Sequence, residues 1–413
     1  MRAMHDFEVS IVGAGPAGAV CAMLLARAGI KVALIERARF PRDKVCGDGI
    51  TPRGARMLKE LGILDNIAKA AFACNGMTLR GSESNSFDID LQADSRGPAE
   101  LLVLPRLQLD QMLLDHALAA GVHYIDDAKV DALTHEAGIC YTQLQSGRRI
   151  SSRLGLIATG AESQILRASG LMNDKPRLEH AARGYFEGVE GLTRRVTLFF
   201  DGIDLPGYGW VFPTSPSSAN IGCGVFSRDG MPQMQRLKEL LASHPMLKRQ
   251  LAHANLMAPL RAYPLRTDFH ADHAGRDVRL CIGEAAGLVN PVTGEGIDYA
   301  FESARFASDA VQAALGAAAP EQALGDYRAR LKRRFARRFG IYRWVQKNCL
   351  SDNQADDFLA AVRASPALQR TVVNGLFGRA RPIDYFRPDV LFPALRLALR
   401  ARRHSSAKLG LGT

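Results

Sequence analysis

Apolar and polar positions change period several times along the chain, and each change marks an element. Residues 7–37, FEVSIVGAGPAGAVCAMLLARAGIKVALIER, read as a buried strand, a glycine turn, an apolar helix and a second strand. Residues 104–125, LPRLQLDQMLLDHALAAGVHYI, predict a helix leading into another strand, and RLGLIATGAESQILR predicts a buried strand ending at Thr159-Gly160-Ala161. Between 176 and 274 the pattern shortens to β-rich runs (RGYFEGV, RVTLFF, YGWVFP, ANIGCGVF) separated by Gly, Asp, Pro and Ser turns, which predicts an antiparallel sheet. Residues 233–256 predict a helix with Met234, Leu237, Leu240 and Leu241 on one stripe. Residues 346–413 read as helical, broken at Pro366, Pro382, Pro388 and Pro393.

Composition adds limits. A chain of 413 residues, 47% apolar and 23% charged, can bury a substantial core and is neither disordered nor fibrous. Its seven cysteines are widely spaced, odd in number and without a CxxC pair. That argues against a disulfide framework or a zinc site and fits a reducing cytosol. The ten histidines show no metal spacing, no GxSxG elbow occurs, and no metal is expected. No signal peptide is evident, and the longest uncharged stretch, 205–227, is broken by prolines. The net charge of +11 is uneven. The basic tail from Arg379 onward interleaves Arg with Phe and Leu, and either packs on the body or meets an anionic membrane surface. The basic run 328–340 reads as a solvated helix face rather than a nucleic-acid site, and Trp344 as a core or interface aromatic. The expected location is therefore cytoplasmic, with peripheral membrane contact through the C-terminal region as an added expectation.

The first motif fixes a cofactor class. Gly13, Gly15 and Gly18 form GxGxxG between a strand and a helix. Gly13 permits the turn, Gly15 lets a pyrophosphate approach the backbone, and Gly18 lets helix and sheet pack. Ala17 lies inside this turn, Glu36 closes the second strand where an acid bonds ribose hydroxyls, and Arg37 follows it. Three later segments favour FAD over NAD: Arg106 and Asp110 at a helix start, the 153–167 strand, and RDVRLCIGEAAGLVNPVTGEGIDYAFESA. The last brings Glu284 to a ribityl chain and presents a helix N-terminus near Gly294, Gly296 and Ile297 to the flavin's pyrimidine end. In KVCGDGITP, Gly47 and Gly49 would let the backbone pass against a flat ring, with Asp48 holding the loop.

At these residues the chain resembles the geranylgeranyl reductase family, within the aromatic hydroxylase-type flavoproteins. GAGPAG, KVCGDGITP, PRLQLD, PGYGWVFPTSPSSANIGCG and GEAAGLVNPVTGEGI carry the likeness over residues 9 to 300. The resemblance implies that Cys46 sits close to the isoalloxazine. It also implies that Tyr208-x-Trp210-x-Phe212-Pro213 shapes an elongated apolar cavity beside it, with Pro291 as a further substrate contact. Tyr208, Trp210 and Phe212 share a parity and should face one way. Flavin-dependent halogenases are similar too, but their Trp-x-Trp-x-Ile-Pro string has Tyr208 at its first position here, and their catalytic lysine has no clear counterpart. Thr159 replaces the superfamily's acid before glycine, which counts against an ordinary NAD(P)H-driven hydroxylase.

The expected fold is α/β. A discontinuous Rossmann-like FAD-binding domain (1–75, 101–175, 275–345) carries an inserted antiparallel-sheet substrate domain (76–100, 176–274) and a helical C-terminal region (346–413). The expected function is FAD-dependent reduction of carbon–carbon double bonds in an isoprenoid or similar apolar small molecule. Cys46, Tyr208 or water would give the proton, and NAD(P)H or a reduced carrier protein the electrons. The alternatives are a monooxygenase or other tailoring oxidoreductase and, last, a non-catalytic flavin- or lipid-binding protein. Fold alone does not choose among them.

Overall fold

Phe7–Val12 is buried at five of its six positions and Val32–Ile35 at all four, as befits inner strands of a parallel sheet. In the computed structural model, which describes residues 5–81, 85–91, 100–203, 205–225, 232–349, 355–376 and 387–390, Phe7–Val12 pairs in parallel with Val32–Ile35 and with Arg149–Ile157. Arg279–Cys281 and His123–Ile125 extend the parallel set on either side. The hairpin Val130–Glu136 and Ile139–Leu144 joins antiparallel to Arg149–Ile157. The helices Pro16–Arg27, Arg106–Ala119 and Ile297–Gly316 pack together against this sheet and bury its largest core.

A second sheet runs in the order Asn255–Leu256, Leu178–Glu187, Ser218–Val225, Gly207–Pro213, Arg195–Phe199, Gly76–Arg80, Ser86–Asp90, with Arg261–Arg266 also on Leu178–Glu187. It is not wholly antiparallel as expected: Arg195–Phe199 pairs in parallel with Gly76–Arg80, where the early segment joins the edge of the later one. A small third sheet ties Gly49–Ile50 and Phe72–Cys74 to Leu101–Val103. It fastens the Cys46 loop to the segment that leads into Arg106.

The single helix expected over 233–256 is two helices, Gln233–Ser243 and Pro245–Gln250, followed by the strand Asn255–Leu256. Pro245 has no N–H to continue the first helix, and it starts the second instead. Near the C-terminus the helices Arg337–Cys349, Ala355–Ala364 and Pro366–Leu376 are described, the last starting at Pro366. Trp344 is 59% exposed and so is not a core residue. Apart from 387–390, the basic tail lies outside the described residues. Among the described residues no helix is long and apolar enough to cross a membrane.

Candidate active site

The glycine turn is built by close approach. Gly13 has φ +103, and a Cβ there would meet the Ala158 carbonyl oxygen at 2.5 Å. A Cβ on Gly18 would collide with the Gly13 carbonyl, so Gly18 serves helix–turn packing and does not line the cavity. Gly15 differs: a Cβ there would meet only Arg42 Nη2, at 3.5 Å, and the residue faces open space. Gly15 is the N-cap of Pro16–Arg27 and makes no side-chain cap, so the helix offers its first N–H groups to that space. Glu36 Oε2 accepts from the Ala14 N–H at 2.8 Å and Oε1 from the Ala38 N–H at 3.1 Å, which fixes the acid beside the turn. Arg37 is exposed, 3.7 Å from Glu162.

The Cys46 loop hangs on Asp48, a non-glycine residue at φ 65. Its carboxylate accepts from Tyr185 Oη at 2.6 Å, Asn220 Nδ2 at 2.7 Å and the Arg106 N–H at 3.2 Å. Burial pushes its pKa up to about 6 against these bonds. Asn220 Nδ2 also donates to the Cys46 carbonyl at 2.7 Å. Burial raises the Cys46 thiol while the Arg106 guanidinium opposes it, and the net shift is upward. Arg106 forks onto Asp110 at 2.6 and 2.7 Å, and Arg42 reaches the same carboxylate at 2.9 Å. Gly47 lines the cavity, and both it and Gly49 also lie against a ring of the protein's own. A Cβ at either position would meet Phe212 Cε2 at 3.3 Å, so these glycines make room for the protein's own aromatic wall.

That wall follows from strand parity. Tyr208, Trp210 and Phe212 all line the cavity, with ring centroids 6.0 and 6.5 Å apart in succession. Across the ladder they face Gly224, Gly222 and Asn220. A side chain on Gly222 would collide with the Trp210 indole, which is why glycine stands opposite the largest ring. Trp210 Nε1 donates to Asn220 Oδ1 at 2.9 Å, and Tyr208 donates its hydroxyl proton to the Thr293 carbonyl. Gly209 and Val211 face the other side, against Phe199 and the second sheet's core.

The far wall comes from the 283–300 segment. Glu284 Oε1 accepts from the Arg266 N–H at 3.1 Å, and Oε2 stands 3.9 Å from Lys44 Nζ. Gly294 (φ 66), Gly296 and Ile297 line the cavity, and Gly296 caps Ile297–Gly316 without a side-chain bond. Pro291 does not line it: its carbonyl accepts from Gln346 Nε2 at 2.6 Å, behind the wall. Under this turn Arg53 bonds Glu302 at 2.8 Å and lies 3.4 Å from Asp298 and 3.5 Å from Glu295. Burial and the neighbouring Asp298 hold Glu295 well above the usual carboxylate range. Asn220, Lys44, Arg42 and Arg53 were not singled out from the sequence as site residues. For Asn220 a signal existed, its place inside the aromatic motif at the position opposite Phe212.

Together these residues enclose a cavity of ≈ 1240 Å³, which runs from Glu36, Lys129 and Gln145, past Gly15 and Cys46, to Met234 and Leu260. A single drug-sized ligand takes about 300–1,000 Å³, so the space admits a dinucleotide and part of a second molecule. Two uncapped helix N-termini, the clear space at Gly15 and the buried Glu36 are the features an adenine–flavin dinucleotide requires, and the residues present fit it. Among the described residues no group of three or more His, Cys, Asp or Glu could hold a metal ion.

A family model described as FAD binding domain matches residues 6–175. The chain is 32% identical over 321 residues to a menaquinone reductase of Mycobacterium tuberculosis, covering 73% of this chain and 76% of the relative. It is 28% identical over 369 residues to a geranylgeranyl diphosphate reductase of Rhodobacter capsulatus, covering 86% and 87%. Among solved structures, a geranylgeranyl bacteriochlorophyll reductase-like protein of Thermoplasma acidophilum superposes with TM-score 0.76 at 22% identity, over 87% of this chain and 92% of that one. A flavin-dependent brominase shares the fold at TM-score 0.74 and 19% identity, over 97% of this chain and 100% of that one. The glycine turn, the Cys46 loop and the aromatic wall thus lie within a chain that belongs to the geranylgeranyl reductase family of FAD-dependent oxidoreductases.

Proposed function

We propose that this enzyme saturates carbon–carbon double bonds in the isoprenoid chain of an apolar substrate. One observation carries the reading: the aromatic face of Tyr208, Trp210 and Phe212 and the Cys46 loop bound the same cavity that the Gly13–Gly18 turn opens into. A prenyl chain would lie along the rings, with its reacting carbon beside the loop. Relatives named for menaquinone and for geranylgeranyl diphosphate act on molecules that share such a chain.

When bound and reduced, the cofactor supplies a hydride to one alkene carbon. The protein must then deliver a proton to the other, from a group within hydrogen-bond reach. Tyr208 has its one proton directed at the Thr293 carbonyl. Cys46 lines the cavity, and burial keeps its thiol protonated at neutral pH, so Cys46 is the better-placed donor. Asn220 positions Cys46 through its carbonyl and is itself held by Asp48. The electrons come from NAD(P)H or a reduced carrier protein.

The test is anaerobic. Dithionite-reduced holoenzyme is mixed with geranylgeranyl diphosphate or menaquinone, flavin reoxidation is followed, and products are weighed by mass spectrometry. A product gaining two hydrogens per reduced bond is expected. Reoxidation that requires oxygen and yields an oxygenated product would overturn the reading.

A further inference from the structure

One corner of the cavity, between Glu284 and Arg261, carries cations that hydride and proton transfer do not use. Lys44 lines it with Nζ buried and, among the described residues, without a hydrogen-bond acceptor. The ammonium is held 3.6 Å over the Tyr263 ring centroid, with Glu284 Oε2 at 3.9 Å. Arg261 sits two residues before Tyr263 on the strand Arg261–Arg266 and so projects from the same face. Its side chain is 58% exposed, and its Nε lies 3.4 Å from Asp43. Arg183, the register partner of Arg261, is almost fully buried. It pairs with the same Asp43, stacks 4.2 Å from the Tyr185 ring centroid, and leaves its own Nε without an acceptor.

Three cations therefore meet two carboxylates, Asp43 and Glu284. Buried N–H donors without acceptors are costly to keep, and ring contacts that hold them in place leave the donors pre-aimed. Because Arg261 is exposed while Lys44 is inside, the corner spans the cavity's opening to solvent. An anion bridging the two would find a fork from Arg and a point charge from Lys, the pair that suits phosphate oxygens.

We propose that Lys44 and Arg261 form a binding site for a phosphate ester at the mouth of the cavity. Two sources offer that chemistry: the phosphate head of a prenyl substrate, whose chain would continue along the aromatic wall, and the phosphates of a nicotinamide dinucleotide reductant. The first rests on the alkene-reduction reading above, and the second does not.

The holoenzyme binds geranylgeranyl diphosphate, geranylgeraniol and NADPH in separate titrations, read by the change in flavin absorbance. Arg261→Ala and Lys44→Met are compared with wild type after flavin content has been matched. Arg261→Ala is the safer variant, since its side chain is largely solvated. If the substrate supplies the phosphate, both variants weaken the diphosphate by about 10-fold or more, the scale of a lost charge-assisted bond, and leave the alcohol within 2-fold. If the reductant supplies it, NADPH weakens instead while dithionite still reduces the flavin normally. Equal weakening of diphosphate and alcohol, or no change in any ligand, overturns the site. These are binding readouts, so a failure to reduce alkenes would refute the proposed reaction without touching them.

Discussion

Asn220 joins three parts of the site, and its removal tests whether they act as one unit. It is fully buried. Its Oδ1 accepts from the Trp210 indole at 2.9 Å, and its Nδ2 donates to the Cys46 carbonyl and to Asp48 Oδ2, both at 2.7 Å. Asn220→Ala leaves the indole N–H and the Cys46 carbonyl without partners, while Asp48 Oδ2 keeps Tyr185 at 2.6 Å. Orphaning a buried polar group costs about 1–3 kcal/mol, so two give about 2–6 kcal/mol. Water entering from the adjoining cavity would offset part of this, and the expected loss is about 2–4 kcal/mol. Urea unfolding of the apoprotein, followed by far-ultraviolet circular dichroism, measures it. Asn220→Asp sharpens the test by placing a second carboxylate where Nδ2 was, against Asp48 Oδ2. Its deficit relative to Asn220→Ala should grow as pH rises past about 6, where Asp48 ionises. An alanine variant within about 0.5 kcal/mol of wild type, well under one orphaned group, would refute the hub, as would an aspartate variant no more pH-sensitive than alanine.

Gly15→Val fills the one side of the turn that faces open space, and FAD affinity should fall at least 10-fold with little change in apoprotein stability; unchanged affinity by equilibrium dialysis would remove the cofactor assignment. Cys46→Ser should slow alkene-dependent flavin reoxidation by roughly 10²-fold, the scale of a lost general acid, with the bound-flavin spectrum little altered; a wild-type rate in single-turnover mixing would return the proton to water. Asp48 has its pKa raised from 3.8 to about 6 in the fold, so through this group stability is greatest at low pH and declines as pH rises from about 4 to 6; Asp48→Asn should abolish that slope in urea titrations, and an unchanged slope would place it elsewhere.

The dinucleotide half was legible because its signals are local. The turn glycines, the helix they open and Glu36 all lie within 30 residues, and each carries its own steric or electrostatic reason. The aromatic wall was legible for the same reason, since parity along one strand decides what faces the cavity. What escaped the sequence depends on partners far apart in the chain. Asp48 meets Tyr185 and Asn220 across 137 and 172 positions, and Arg53 meets Glu302 across 249. Gly47 and Gly49 have a partner of this distant kind. Their permissiveness toward a flat ring was visible, but not that Phe212, 165 and 163 positions onward, also packs against them. Pro291 was placed by its neighbours in the motif, yet Gln346 holds its carbonyl behind the wall.

The two sheets meet at the site through bonds that run from substrate-side elements to cofactor-side loops. Asn220 holds the Cys46 carbonyl, Tyr208 holds the Thr293 carbonyl beside the Gly294–Ile297 turn, and Tyr185 holds Asp48. All three donors stand on strands of the second sheet, and all three acceptors belong to loops around the glycine-turn domain. A hydride and a proton must reach adjacent carbons of one alkene, which demands that both loops keep their distance from the aromatic wall to within a fraction of an ångström. Two of the three acceptors are backbone carbonyls, which fix a loop's position without spending its side chains. Cys46 lines the cavity with its carbonyl tied to Asn220 and its thiol bonded by the Asp48 N–H and the Arg106 guanidinium. The Tyr208 hydroxyl is thus a positioning group, while the residue still lines the cavity.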